Sequence, residues 1–112
     1  MDKKLAFAMY KPKEGKAQEL EEILIQHIPL LREYGLISEK ETHTVRSNDG
    51  TIIEIFEWIS DESKEVAHQH PAMRSLWGKM MSVCTFPTLS DLPESKKSFP
   101  NFTVITQNNK II

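Results

Sequence analysis

The sequence predicts an α+β domain, and three observations carry that prediction. β-rich runs occupy residues 5–10, 36–47, 51–59 and 102–107, two stretches between them place apolar residues at helical spacing, and Asn48-Asp49-Gly50 punctuates the middle of the chain. The resulting order β-α-β-β-α-β, with a tight central hairpin, is that of a ferredoxin-like unit: a four-stranded antiparallel sheet with both helices on one face. At 112 residues and 39% hydrophobic content the whole chain, 1–112, suits one domain with a core of its own.

Residues 5–10 alternate, with Leu5, Phe7 and Met9 on one face and Ala6, Ala8 and Tyr10 on the other, and Lys11-Pro12 ends the strand. From Lys16, the apolar positions Leu20, Ile23, Leu24, Ile28 and Leu31 recur at helical spacing, and Gly35 closes the helix. Pro29 lacks the amide that would bond four residues back, so a kink or a restart is expected at His27-Ile28-Pro29. Residues 36–47 and 51–59 read as the second and third strands. Ser60 is a predicted N-cap, with Asp61 and Glu62 in the first turn of a helix reaching about Gln69. His70-Pro71 breaks that helix, and Pro71 opens a second segment in which Met73, Leu76, Trp77, Met80 and Cys84 continue the spacing to about Val83. Residues 85–100 carry three prolines and no periodicity, so they read as an irregular connection that packs through Phe86, Leu89 and Leu92. A last strand at 102–107 and a tail at 108–112 complete the chain.

With Asp49 and Gly50 as a two-residue loop, Arg46 faces Ile53, Val45 faces Glu54, Thr44 faces Ile55 and His43 faces Phe56. One face then carries Thr42, Thr44, Arg46, Ile53, Ile55, Glu57 and Ile59; the other carries Glu41, His43, Val45, Ile52, Glu54, Phe56 and Trp58. The third strand is apolar on both faces, which implies cover on both sides. A chain this small is not expected to supply both covers, so a homodimer with sheets stacked face to face is predicted.

The formal charge of −2 arises from interspersed acids and bases without a basic run, which excludes a nucleic-acid or anionic-membrane footprint. Cys84 is the single cysteine, so there is no internal disulfide, and a reducing compartment fits. The N-terminal MDKKLAFAMYKPKEG has too few apolar residues for a signal peptide or a membrane span, and a cytoplasmic location is expected. The four glycines form no phosphate-binding loop.

His43, Glu54, Phe56 and Trp58 combine a possible base, a carboxylate and two rings able to hold a planar ligand. A carboxylate flanked by Ile and Phe on a covered strand is desolvated, which suits it to take a proton from an acidic carbon or a phenol. The plainer reading pairs Glu54 with a Lys, Arg or His in the core or interface, and leaves Trp58 as core. A pocket between sheet and helices is expected from His27, His43, Glu54, Trp58, His68 and Trp77, with Phe56 and Met73 on its walls, for a small apolar, aromatic or polyketide-like molecule. In an enzyme, Glu54 would be the base or would orient His43, with His68 as the alternative base, while Trp58 and Trp77 stack the substrate. No metal or cofactor is expected: His68-Gln69-His70 lacks a third ligand of defined spacing, and His70 reads instead as an N-cap substitute. Cys84 has no activating neighbour in sequence. The competing class is a non-enzymatic ligand-binding or regulatory dimeric module.

The run 49–60, DGTIIEIFEWIS, followed by Ala67-His68, Pro71, Trp77 and Cys84, resembles a group of small bacterial proteins of unassigned activity. These are similar to the dimeric α+β barrel superfamily, which includes the antibiotic-biosynthesis monooxygenases. The resemblance spans residues 5–107 in element order and 49–84 in motif. It implies a homodimer with a pocket between each sheet and its own helices, used for small, mostly apolar or aromatic molecules. Trp58 matches the strand tryptophan of the cofactor-independent oxygenases, while Glu54 stands where the quinone-forming branch has an Asn. The Asn, Trp and His of the haem-degrading branch fall at Phe7, Ala67 and Trp77, a departure that argues against haem degradation.

Overall fold

The structure, a computed structural model, describes residues 3–107 and 110–111. Its main sheet is antiparallel throughout and is built on β1 (Lys4–Pro12), which pairs with β3 (Ile52–Trp58) over seven residues from Lys4↔Trp58 to Tyr10↔Ile52. β2 (His43–Arg46) lies on the far side of β3, and two short strands, β4 (Cys84–Thr85) and β5 (Thr103–Val104), occupy the edges, giving the order β4-β1-β3-β2-β5. The order β4-β1-β3-β2 is consistent with a ferredoxin-like α+β fold, but the sheet has five strands rather than four. The segment expected to close the unit beside β1 instead starts at Thr103 and pairs with β2 on the opposite edge. The place beside β1 goes to two residues at the end of the second helical region.

The hairpin register is one residue away from the predicted one. Ser47 and Thr51 close a three-residue loop, with the Ser47 N–H donating to the Thr51 carbonyl at 2.9 Å and Gly50 at φ 91°. Asp49 forces that length: its Oδ1 accepts from the Ser47 hydroxyl and from the Thr51 N–H, leaving Gly50 to take the left-handed conformation. Thr44 therefore pairs with Glu54 and Val45 with Ile53. A one-residue slip exchanges faces, so Thr44 and Arg46 join Glu54, while His43 and Val45 go to the other side.

On the face carrying Ala6, Ala8, Tyr10, Ile52, Glu54 and Phe56 lie α1 (Ala17–Glu33), α2 (Asp61–Gln69) and α3 (Pro71–Val83). α1 does not restart at Pro29. Leu24, His27, Ile28 and Leu31 are all buried while Pro29 faces solvent, so packing on either side carries the helix through the missing amide. Ser60 caps α2 through the Ser63 N–H, at 3.1 Å, and His70 caps α3 by accepting the Ala72 N–H at 3.1 Å on Nδ1. Residues 36–42, expected as strand, contribute only an Ile37↔Trp58 bridge, although Leu36 and Ile37 are buried. Backbone bonds from the Ser38 N–H to the Glu57 carbonyl and from the Ile59 N–H to the Leu36 carbonyl hold this stretch to the end of β3, and the Arg32 guanidinium, donating to the Lys40 carbonyl at 2.7 Å, ties it to α1 as well.

The opposite face is covered in part by the chain itself. Residues 86–102 fold back as two 3-10 turns, Leu89–Asp91 and Pro93–Lys96, and Leu92 packs on Val45 and Ile53. That corrects the premise that the chain is too small to cover both faces, while Leu5 and Phe7 stay 61% and 46% exposed. Within the expected tail, β7 (Lys110–Ile111) pairs with β6 (Thr106–Gln107). Asn108, Asn109 and Ile112 of that tail lie outside the described residues. Among the described residues no helix is long and apolar enough to cross a membrane.

Candidate functional site

β4 is only two residues long, so β1 has a strand partner on that edge only at Lys11 and Pro12. Beside the uncovered stretch lies a cavity of about 450 Å³. Four consecutive β1 residues, Phe7 to Tyr10, form one wall, Trp77 and Met81 of α3 another, and Phe86-Pro87 a third; Phe56, Trp58, His27 and His68 complete it. Met81 and Phe86 are 63% and 52% exposed and mark its mouth. Both the size and the largely apolar, aromatic lining are those of small-molecule sites.

The polar centre of the site is a buried chain of side chains behind that lining. Glu54, 1% exposed, accepts from the Tyr10 hydroxyl at 2.9 Å and is 2.7 Å from His27 Nδ1, both through Oε1. On the other side of the imidazole, Trp77 Nε1–H donates to His27 Nε2 at 3.1 Å. The indole nitrogen can only donate, so Nε2 must accept, and the ring proton sits on Nδ1, pointing at Glu54. Glu54 is thus a desolvated carboxylate held by two donors, with no Lys or Arg paired to it among the described residues. Burial, and after it the Glu54 charge, pushes the Tyr10 phenol well above its ordinary value and keeps it a donor.

The aromatic rings lock this chain in place. His27 meets Phe56 edge-on at 6.3 Å between centroids, Phe56 meets Trp58 at 5.1 Å, and His68 is in ring contact with Trp77 at 5.3 Å, both on the cavity wall. Two features of the fold bring them together. The α1 spacing that buries Leu20, Leu24 and Leu31 also turns His27 inward, and Ala8, directly across from Glu54, leaves room above the sheet.

Comparison with protein-family models, with curated proteins and with solved structures finds no match for this chain. The site therefore has to be read from its own geometry.

Of the residues expected in the pocket, His27, Phe56, Trp58, His68 and Trp77 line one cavity, and Glu54 stands directly behind His27. His43 is not among them. The three-residue hairpin loop sends it, exposed, to the other sheet face, so its predicted shared face with Glu54 is corrected. Met73 is wholly buried, packed among Ile28, Leu31 and Phe56 rather than on the cavity wall. Glu57 lies on the opposite face and pairs with Lys40 at 3.2 Å. His68 and His70 have separate surroundings, the first on the cavity, the second capping α3 and stacked on Tyr34 at 3.9 Å. Among the described residues no group of three or more His, Cys, Asp or Glu could hold a metal ion. Cys84 is buried, and that burial pushes its thiol up from its ordinary value, the opposite of activation.

Sequence reasoning missed Phe7 to Tyr10, Met81 and Phe86-Pro87 as cavity residues. Tyr10 carried a usable signal, since the alternation of β1 put it on the same face as Ala8, and so did Met81, one helical turn after Trp77. The exposure of the β1 edge and the place of Phe86-Pro87 follow from how short β4 is, which no local pattern announces.

Proposed function

We propose that the protein binds a small planar aromatic or polyketide-like molecule in the β1-edge cavity and removes a proton from it without a cofactor. The observation that carries this reading is the Glu54–His27 pair directly behind an aromatic cavity, with its other ring nitrogen turned toward Trp77 on the cavity wall. A phenolic or enolic O–H that takes the place of the Trp77 N–H on His27, the indole remaining on the cavity wall, meets the lone pair of Nε2. The proton passes to Nε2, and the imidazolium that forms is stabilised by the Glu54 carboxylate 2.7 Å away. Trp58, Phe56 and Trp77 hold the ring and exclude water. The resulting enolate is the species that reacts with dioxygen in a cofactor-independent monooxygenase: an activated CH₂ and O₂ give C=O and H₂O, the substrate supplying all four electrons. The resemblance to the antibiotic-biosynthesis monooxygenases supports that chemistry, with Glu54 orienting His27 in place of His43.

The test pairs binding with turnover. Quenching of Trp fluorescence measures binding, and oxygen uptake measures reaction, over a panel of polycyclic phenols and anthrone-like ketones. On an active compound, Glu54→Gln should bind normally while the rate falls by two to four decades, about 3–5 kcal/mol of barrier. An unchanged rate would remove the pair from the mechanism and leave His68 as the base. The Trp77 N–H on Nε2 favours a second reading, a non-enzymatic binding module in which His27 is only a structural acceptor. Saturable quenching with no product under air would establish it.

A homodimer is part of the same proposal. Leu5 and Phe7, exposed on the sheet face away from the helices, support packing through that end of the sheet. Sedimentation at micromolar concentration should show a dimer, and a well-folded monomer would refute it.

A further inference from the structure

On the sheet face away from the helices, beneath the two 3-10 turns, lies a second cavity of about 510 Å³. It shares only Phe7 with the first, and its walls are Ile53, Leu89, Leu92 and Phe102. One wall also carries Glu94, which is 2% exposed. Its Oε2 accepts the Asn48 N–H at 2.8 Å, and its Oε1 is buried without any hydrogen-bond partner. No cation pairs with this carboxylate among the described residues, although Lys96 and Lys97 stand exposed at the cavity's rim. Buried polar atoms in folded proteins are nearly always bonded, and a carboxylate has room for about four donors. A single backbone N–H is therefore poor support for a desolvated anion, and the unused oxygen asks for a charged donor.

We propose that this cavity is a binding site for a small apolar monoamine: the Glu94 carboxylate, whose Oε1 is closed off from the cavity in the free protein, turns so that Oε1 accepts from the ammonium, while the hydrocarbon body lies on Ile53, Leu92 and Phe102. The ammonium supplies both missing terms, a hydrogen-bond donor and a compensating charge. A second cationic group on the ligand is disfavoured by Lys96 and Lys97 at the rim, which selects a monoamine over a polyamine. The cavity volume falls within the range of pockets that enclose small ligands, roughly 300–1,000 Å³.

The experiment is an amide NMR titration of the ¹⁵N-labelled protein with 2-phenylethylamine, beside its neutral analogue 2-phenylethanol. The Asn48 amide, which donates to Glu94, should move saturably with the amine, and the alcohol should bind at least tenfold more weakly. Glu94→Gln should weaken the amine tenfold or more. Because that change also touches the hairpin, Ser90→Phe, which fills the cavity from an exposed position, should abolish binding with Glu94 intact. Met81→Glu, at the mouth of the first cavity, should leave amine binding unchanged. Equal binding of amine and alcohol, undiminished binding by the Ser90 variant, or no Asn48 response up to the solubility limit would each overturn the proposal.

Discussion

Replacing Glu54 in two ways separates its charge from its role as an acceptor. In Glu54→Leu, the Tyr10 hydroxyl and the His27 Nδ1–H lose their common acceptor in a region where these side chains are 2–4% exposed. An orphaned buried donor costs about 1–3 kcal/mol, so the pair amounts to roughly 2–6 kcal/mol. His27 cannot escape by moving its proton to Nε2, because the Trp77 N–H already points there. Glu54→Gln keeps an acceptor oxygen and removes the charge. Two charge-assisted bonds fall to neutral strength, a loss of about 2 kcal/mol, while the desolvation of a buried carboxylate, itself several kcal/mol, is relieved. The Gln variant should therefore stay within about 2 kcal/mol of the parent and the Leu variant should not. Urea denaturation followed by tryptophan fluorescence and circular dichroism together gives both values, with the m-value checking that the unfolding transition is the same. A Leu variant as stable as the parent would refute the claim that Glu54, Tyr10 and His27 form one buried network. A Gln variant as damaged as the Leu variant would show that the charge itself holds the site together.

Other perturbations test the elements that position the site. Asp49 is pushed up by partial burial but pulled down further by the Ser47 hydroxyl, the Thr51 N–H and Lys11, to about 2 from an ordinary 3.8. Its folded value is depressed, so its contribution is complete above the unfolded value and is lost as pH falls from about 4 toward 2. Asp49→Asn should remove about 1–2 kcal/mol at neutral pH and flatten stability across that acid window in pH-dependent melts. Ser60→Ala deletes the α2 N-cap and should lower stability by about 1 kcal/mol, read as a drop in Tm, with Ser60→Asp largely preserving it. His70→Ala removes the α3 cap and should cost about 0.5–2 kcal/mol, while His70→Asn retains most of it; equal melting of the two variants would mean that the stack on Tyr34, not the cap, is what matters.

Much of this arrangement was legible because it follows local rules. The α1 spacing, the Ser60 cap, the His70-Pro71 break and the alternation of β1 each depend on residues a few positions apart, and they place His27, His68, Trp77 and Tyr10 on the faces they occupy. The hairpin register was legible only in part. Asn-Asp-Gly fits a two-residue and a three-residue loop equally well by composition, and what decides between them is the Asp49 carboxylate bonding both Ser47 and Thr51. That side-chain contact fixed the face of His43 and removed it from the site. The Glu54–His27 pairing was not legible at all as a specific contact. It joins a strand and a helix across 27 positions, and the sequence offered Glu54 several partners of the right chemistry.

The least legible feature is the one that makes the site. A ferredoxin-like unit is closed by an edge strand alongside β1, and a full-length strand there would fill the space between that edge and α3. In this chain the strand after α3 reaches only Cys84 and Thr85 before Phe86 and Pro87, and proline has no amide with which to extend the ladder. The chain then turns away to cover the other face with Leu92, and Thr103 and Val104 join the sheet at its far side. An unpaired strand edge is ordinarily a hazard for a soluble protein. Here the uncovered stretch of β1 lies behind Trp77, Met81 and Phe86, so the space left by the missing strand becomes an aromatic cavity rather than a sticky edge. The same shortening that opens the cavity therefore accounts for the second one, because the segment freed from β1 is the segment that carries Glu94 across the opposite face.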